Sequence, residues 1–209
     1  MQAGGEDDVL VVVDVQRDFC AGGALAVQDG DAVVEPINRL MERFRHVILT
    51  QDWHPADHGS FAAQHAGRRP MEVVAMAYGP QVLWPVHCVM GTAGAEFHPK
   101  LEWRRAELVL RKGFRRDVDS YSAFVENDRA TATGLAGYLR ERGLGRVFLA
   151  GLALDYCVGF SALDARRLGF GAQVIADATR AVGMETAEAT RNQMAEAGVG
   201  WTMAADLLG

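Results

Sequence analysis

The run Val9-Leu10-Val11-Val12-Val13 is apolar at every position, without the alternation that marks a half-exposed strand. Such a run predicts a strand buried on both faces, the usual state of a central strand in a parallel sheet. It ends at Asp14. After a Gly-rich turn, Val33, Ile37, Leu40, Met41 and Phe44 recur at helical spacing, with Asp31 expected as the N-cap and Pro36 tolerated in the first turn. His46-Val47-Ile48-Leu49-Thr50-Gln51 predicts a second strand that ends at Asp52, and Leu108-Val109-Leu110 a third that runs into Arg111-Lys112-Gly113. Leu135, Tyr138 and Leu139 mark a helix that stops near Gly143, and Val147-Phe148-Leu149-Ala150 a fourth strand. Cys157 opens the next helix, through Phe160, Leu163 and Leu168, followed by a strand at Gln173-Val174-Ile175, a helix over residues 185–197 and a last strand over 199–202. Regular alternation of strand and helix predicts an α/β protein, a three-layer α/β/α sandwich around a mostly parallel six-stranded sheet. No repeat, low-complexity tract or linker divides the chain, so residues 1–209 are expected to form a single domain.

Residues 53–100 lack sustained periodicity and hold His54, His58, His65, His87 and His98. A loop of that length inside a compact domain is functional or disordered, and its density of His and Trp favours function. With 49% hydrophobic residues the chain can bury a sizeable core, and its formal net charge of -6 gives no electrostatic footprint for nucleic acid or an anionic membrane. The expected partner is a small molecule. The polar, acidic start Met1-Gln2-Ala3-Gly4-Gly5-Glu6-Asp7-Asp8 is no secretory signal, and no apolar run approaches the ~20 residues of a spanning helix. A cytoplasmic protein is expected, with a homo-oligomer left open. Three cysteines without CxxC spacing argue against a disulfide framework and against a thiolate zinc site, and are read as reduced thiols.

Asp14, Asp52, Lys112 and Cys157 all fall at the carboxyl side of predicted strands, the edge that faces the ligand crevice in an open α/β sheet. Cys157 follows a strand-to-helix turn, where backbone N–H groups favour a thiolate and can hold an oxyanion; a buried structural cysteine fits its position equally well. Asp14 ends a wholly apolar strand, a costly place for a carboxylate unless it is paired. Lys112 is one of only two lysines among 21 basic residues, which hints at a place that needs a compact point charge. Together they could act as base, cation and nucleophile, with Asp18 free to cap the nearby turn. Asp52, His54 and His87 could supply one carboxylate and two imidazoles to a divalent metal, His87 being chosen on spacing alone. His46, His58, His65 and His98 are read as ordinary polar residues, and Cys20 and Cys88 as bystanders. Phe19, Trp84 and Tyr121 lie near the set in sequence.

These strings together resemble the nicotinamidase branch of the isochorismatase-like cysteine hydrolases. The matching blocks are Asp14-Val15-Gln16-Arg17-Asp18-Phe19 with Gly22-Gly23-Ala24-Leu25, Gln51-Asp52-Trp53-His54-Pro55, Trp84-Pro85-Val86-His87-Cys88-Val89, Lys112-Gly113, Asp119-Ser120-Tyr121-Ser122-Ala123-Phe124 and Gly151-Leu152-Ala153-Leu154-Asp155-Tyr156-Cys157-Val158. They cover nearly the whole chain in order. The resemblance implies the isochorismatase-like hydrolase fold, a catalytic triad of Asp14, Lys112 and Cys157, and a divalent metal on Asp52, His54 and His87, zinc first, with iron and manganese compatible. It also implies a cis Leu152-Ala153 bond, an oxyanion hole from the amides of Ala153 and Cys157, and a ring pocket of Phe19, Leu25, Trp84 and Tyr121. The implied reaction is nicotinamide and water giving nicotinate and ammonia, a step of NAD salvage, with pyrazinamide as a second substrate. Leu154 departs from the motif, which often has Thr there, and bears most on substrate preference.

Other readings remain. A related cysteine amidase for another small amide or a carbamoyl compound would use the same triad but needs no metal-held ring. Isochorismatases proper lack the nucleophilic cysteine. Two His and a carboxylate also suit a non-haem iron oxygenase, which leaves Asp14, Lys112 and Cys157 without a task. A non-catalytic binding protein would keep the pocket without needing Cys157 or Lys112.

Overall fold

In a computed structural model, which describes residues 5–209, the apolar run at residues 9–13 lies inside a strand, β1 (Asp8–Val13), in which every residue is buried. The chain continues through α1 (Val34–Arg43), β2 (His46–Asp52), β3 (Val73–Met76), β4 (Gly79–Val82), β5 (Leu108–Lys112), α2 (Leu135–Glu141) and β6 (Arg146–Leu152). It ends with α3 (Gly159–Arg167), β7 (Gly171–Arg180), α4 (Met184–Glu196), β8 (Gly200–Thr202) and α5 (Ala204–Leu208). Six strands form one parallel sheet in the order β5-β2-β1-β6-β7-β8, while β3 and β4 pair as a separate antiparallel hairpin.

The unbroken apolar run of β1 is explained by its two faces. Leu10 and Val12 pack with Ile37, Leu40 and Met41 of α1 and Leu207 of α5, whereas Val9, Val11 and Val13 pack with Leu135 and Leu139 of α2, Ala162 of α3 and Met194 of α4. Successive side chains of a strand point to opposite faces, so a sheet covered by helices on both sides leaves no position for a polar residue. Each such buried aliphatic side chain contributes about 1.5–3 kcal/mol. The expected three-layer architecture is the one observed.

The structure differs from the sequence reading in several elements. Asp31 does not cap α1: the chain enters that helix through a 3-10 turn, Gly30–Val33, whose Asp31 carbonyl already accepts the Val34 N–H. The Asp31 carboxylate instead accepts from the Ala21 N–H (2.8 Å) and from His98 Nε2 (3.1 Å). Residues 53–100 are not wholly irregular, since they carry the β3–β4 hairpin, whose four-residue strands are too short to show a period. β7 runs ten residues rather than three, α5 was not foreseen, and Cys157 lies in a wide π-type turn, Leu154–Val158, that precedes α3. The first four residues of the acidic start lie outside the described residues. Among the described residues no helix is long and apolar enough to cross a membrane.

Leu10 has no exposed surface and fills the space between the sheet and α1. Leu10→Ala is expected to lower unfolding stability by about 2–5 kcal/mol, measured as a lower urea midpoint at unchanged m; a loss below about 1 kcal/mol would show that this layer can close up around the cavity.

Candidate active site

The strand order reverses direction at β1 and β6, and a crevice opens at such a switch point beyond the strand ends. Four adjacent strands, β5, β2, β1 and β6, deliver the chemistry there. In the β2–β5 register Asp52 stands directly opposite Lys112, and Val13 of β1 stands opposite Gly151 of β6. Asp14, one residue beyond β1, has a positive φ of 47°, a left-handed conformation that Asp tolerates better than most residues. Its backbone N–H donates to Thr50 Oγ1 (3.1 Å), and the Thr50 hydroxyl donates to Asp14 Oδ1 (2.5 Å). Thr50, which the sequence did not single out, thereby aims the Asp14 carboxylate.

The Lys112 side chain is fully buried. Its ammonium lies 2.5 Å from Asp52 Oδ1, 2.8 Å from Asp14 Oδ2, 2.9 Å from the Ser120 carbonyl and 3.3 Å from Cys157 Sγ. An ammonium has three hydrogens, so four acceptors share them. Burial opposes the charge on Lys112, but Asp14, Asp52 and Cys157 together hold it well above the ordinary lysine range. Burial raises the Asp14 carboxyl in spite of Lys112, and raises the Cys157 thiol well above the usual thiol range, with Lys112 pulling the other way. Asp52 behaves oppositely: burial is outweighed by Lys112 and then His54, which hold it well below the usual carboxylate range. Burial thus works against the charged form of both Asp14 and Cys157, and Lys112 works for it.

Asp52 turns its other oxygen, Oδ2, toward His54 Nε2 (3.4 Å) and His87 Nε2 (3.8 Å). The second nitrogen of each ring is engaged elsewhere, His54 Nδ1 with the Gly113 carbonyl and His87 Nδ1 with the Pro85 carbonyl, both at 2.8 Å. Those bonds fix the tautomer that leaves each Nε2 as a free ligand atom, the arrangement common to metal-binding histidines. Phe61 packs its edge on both rings at centroid distances of 5.5 Å. Gly113, at φ +68°, must lack a side chain, because a Cβ there would overlap the His54 ring. Three buried ligand atoms of mixed carboxylate and imidazole type within 4.8 Å of one another fit a divalent cation. His58, assigned above to the ordinary polar histidines, lies against this set: its ring centroid is 4.3 Å from that of His54, and His54, His58 and Asp119 form a second such group.

Beside these groups a cleft of about 380 Å³, its open mouth included, is walled by Phe19, Leu25, Trp84 and Tyr121, as the resemblance implies, and also by Tyr156, Val182 and Asp119. Trp84 Nε1 donates to Tyr121 Oη (3.1 Å), and the Tyr156 ring meets Trp84 edge-on at 4.7 Å. Cys157, Asp52, His54, His87 and Ala153 border the cleft, whereas Asp14 and Lys112 stand behind it. The Leu152-Ala153 bond is cis. Asp155, buried in the same turn, accepts from the N–H groups of Val182 (2.9 Å) and Gly183 (3.0 Å) and from the Thr186 hydroxyl, which ties the Cys157 turn to the start of α4. Tyr156 and Asp119 stood within the recognised strings, but nothing in their type or spacing marked them. Val182 had no signal at all.

The bystanders keep ordinary roles. Burial, then Asp31, pushes the Cys20 thiol up to about 12, and burial raises Cys88 well above its ordinary value. All three cysteines are free. Asp18 caps its turn, accepting from the Ala24 and Cys88 N–H groups, while His46 pairs with Glu107, His65 with the Gly59 carbonyl and His98 with Asp31. Leu154 is buried in the core and does not reach the cleft.

Residues 8–206 match the isochorismatase domain family. A nicotinamidase of Acinetobacter baylyi is 52% identical over 84% of this chain and 82% of its own length. The solved structure of an Acinetobacter baumanii nicotinamidase and pyrazinamidase superposes with a TM-score of 0.95 at 48% identity, covering 97% of this chain and 98% of that one. PnC1 from L. infantum, solved with nicotinate, gives 0.87 at 40% identity over 99% and 98%, and a Pyrococcus horikoshii pyrazinamidase, solved with zinc, gives 0.77 at 33% over 94% and 99%. With a family match over nearly its full length and a converging thiol, ammonium, carboxylate and histidine site, the chain belongs to the isochorismatase family and, within it, to the nicotinamidases.

Proposed function

We propose that this chain hydrolyses nicotinamide to nicotinate and ammonia as a step of NAD salvage, and takes pyrazinamide as a second substrate. The observation that carries the reading is Asp52, whose two oxygens join a buried thiol–ammonium–carboxylate group to a two-histidine cluster on the rim of a cleft with aromatic walls. The similarity to nicotinamidases, one of them solved with nicotinate, supports the substrate. The reading includes residues 1–209 working as one domain in the cytoplasm, where the three free thiols would stay reduced.

In this mechanism the Cys157 thiol, whose sulfur lies within 4.8 Å of an Asp14 carboxylate oxygen, gives its proton to that carboxylate as sulfur attacks the amide carbon. The amides of Ala153 and Cys157 receive the developing oxyanion. Asp14 then passes the proton to the leaving nitrogen as the C–N bond breaks, and ammonia departs from a thioester. Asp14 next takes a proton from water, whose oxygen attacks the thioester carbon and frees nicotinate, and the proton returns to sulfur. Lys112 stays protonated and holds Asp14, Asp52 and Cys157 in register. Phe19, Leu25, Trp84 and Tyr121 enclose the ring. Asp52, His54 and His87 would hold a divalent cation, for which the zinc-bound relative favours zinc, and its chemistry there is that of a Lewis acid for the ring nitrogen.

Cys157→Ala should release no ammonia from nicotinamide yet still bind it, since the ring is held by other residues; release near the wild-type rate would remove Cys157 from its role. Asp14→Asn keeps the shape but cannot take a proton, so ammonia release should fall by about 10²–10⁴-fold, and an unchanged pre-steady-state rate would exclude Asp14 as the base. Asp52→Ala should lose bound metal and weaken nicotinamide binding. Elemental analysis that finds full metal content in that variant would overturn the ligand assignment.

A further inference from the structure

Asp119 is a buried carboxylate that the reaction above does not use. The Ser120 N–H donates to its Oδ1 and Gln81 Nε2 donates to its Oδ2, both at 2.8 Å. Gln81, carried by β4, is itself 1% exposed, and its amide oxygen accepts from Tyr78 Oη (3.0 Å) and Asn127 Nδ2 (3.2 Å). Those two donors fix the orientation of the amide, so its nitrogen must face Asp119. Each carboxylate oxygen keeps a further acceptor direction. Asp119 forms part of the cleft wall beside His54, and its ligand atom and those of His54 and His58 lie within 4.8 Å of one another.

The charge around this point is unbalanced. The carboxylates of Asp14 and Asp52 already share a single ammonium, Lys112, while Asp119 is buried beside His54, and among the described residues no Lys or Arg pairs with Asp119. Backbone and amide N–H groups hold a carboxylate in place without cancelling its charge, and an uncompensated buried charge is costly. A divalent cation beside His54 supplies the missing compensation.

We propose that Asp119, positioned by Gln81, is a further anionic member of the cation site and raises its affinity for a divalent metal without touching the reacting amide. The proposal rests on the metal-bearing reading above, and it gives the β3–β4 hairpin a task, that of holding Gln81 against the site.

The test is zinc affinity, measured by competition with a chromogenic chelator on full-length wild type, Asp119→Asn, Gln81→Leu and Asp52→Ala, with thermal melting of each metal-free form. Asp119→Asn should weaken zinc binding about 10–100-fold while the metal-free melting temperature holds. Gln81→Leu keeps the carboxylate but frees it, so roughly threefold weaker binding or more is expected, and this arm decides the matter if Asp119→Asn does not fold. Zinc affinity within about twofold of wild type in both variants, with Asp52→Ala losing the metal, would overturn the role of Asp119 alone. If Asp52→Ala also keeps its zinc, the cation site itself falls and the proposal with it. A drop in metal-free melting temperature with zinc affinity unchanged would make Asp119 a structural residue only, and would equally overturn the proposal.

Discussion

A single ammonium with no access to water organises this site. Lys112 can remain charged only because Asp52, Asp14, the Ser120 carbonyl and the Cys157 sulfur surround it, and those groups come from four separate segments. Removing any one leaves a buried charge short of compensation, which is far more costly than the loss of a surface pair. The geometry therefore depends on sheet register before it depends on loops. Asp52 and Lys112 are paired residues of neighbouring strands, and a slip of one residue in β5 would turn the lysine to the opposite face of the sheet. Arg, the habitual cation of this chain, presents a planar fork of donors rather than a compact point charge and could not serve four converging acceptors in the same way.

That constraint also sets how the chemistry is divided. Asp52 is committed twice, to Lys112 through Oδ1 and to the two imidazoles through Oδ2, and its proton affinity is held low, so the proposed mechanism gives it no role as base. Asp14, with one oxygen on Lys112 and the other on Thr50, has its proton affinity raised by burial, which suits it to the acceptor role the proposed mechanism gives it. The two carboxylates flank the same ammonium yet are driven in opposite directions: at Asp14 burial and the neighbouring Asp52 charge outweigh Lys112, whereas at Asp52 Lys112 and then His54 outweigh burial. Such a split between neighbouring acids is the usual physical basis for assigning their roles.

The parts of this arrangement that could be read from sequence are those with a periodic or chemical signature. Residues 9–13 announce a doubly covered strand, and the charged residue that ends each such run announces the crevice, so Asp14, Asp52 and Lys112 were legible. Tertiary partners were not. Thr50 reads as one more residue of a buried strand until its hydroxyl is seen on Asp14, and Gln81 as part of an irregular loop until its amide is seen on Asp119. His58 carried the same letter as three histidines that do nothing here, and only its ring against His54 separates it from them. Asp31 failed as a cap for a local reason, since the preceding 3-10 turn had already met the backbone need that a cap would serve.

The Cys157 turn is held by a different logic from the cleft it borders. Its turn is pinned from behind, where Asp155 grips the N–H groups of Val182 and Gly183, and where Leu154 and Val158 sink into the same core as α3 and α4. An apolar residue at position 154 therefore adds to the packing behind Cys157 and has no means of meeting a substrate in front of it. The front wall is assembled from distant segments that bring Phe19, Trp84, Tyr121, Tyr156 and Val182 together. Val182 belongs to both systems, because the backbone group that Asp155 fixes carries the side chain that borders the cleft. Changes at Phe19, Trp84 or Tyr121 can thus reshape the cleft while the Cys157 sulfur stays where the core has put it, whereas a change at Asp155 must move both.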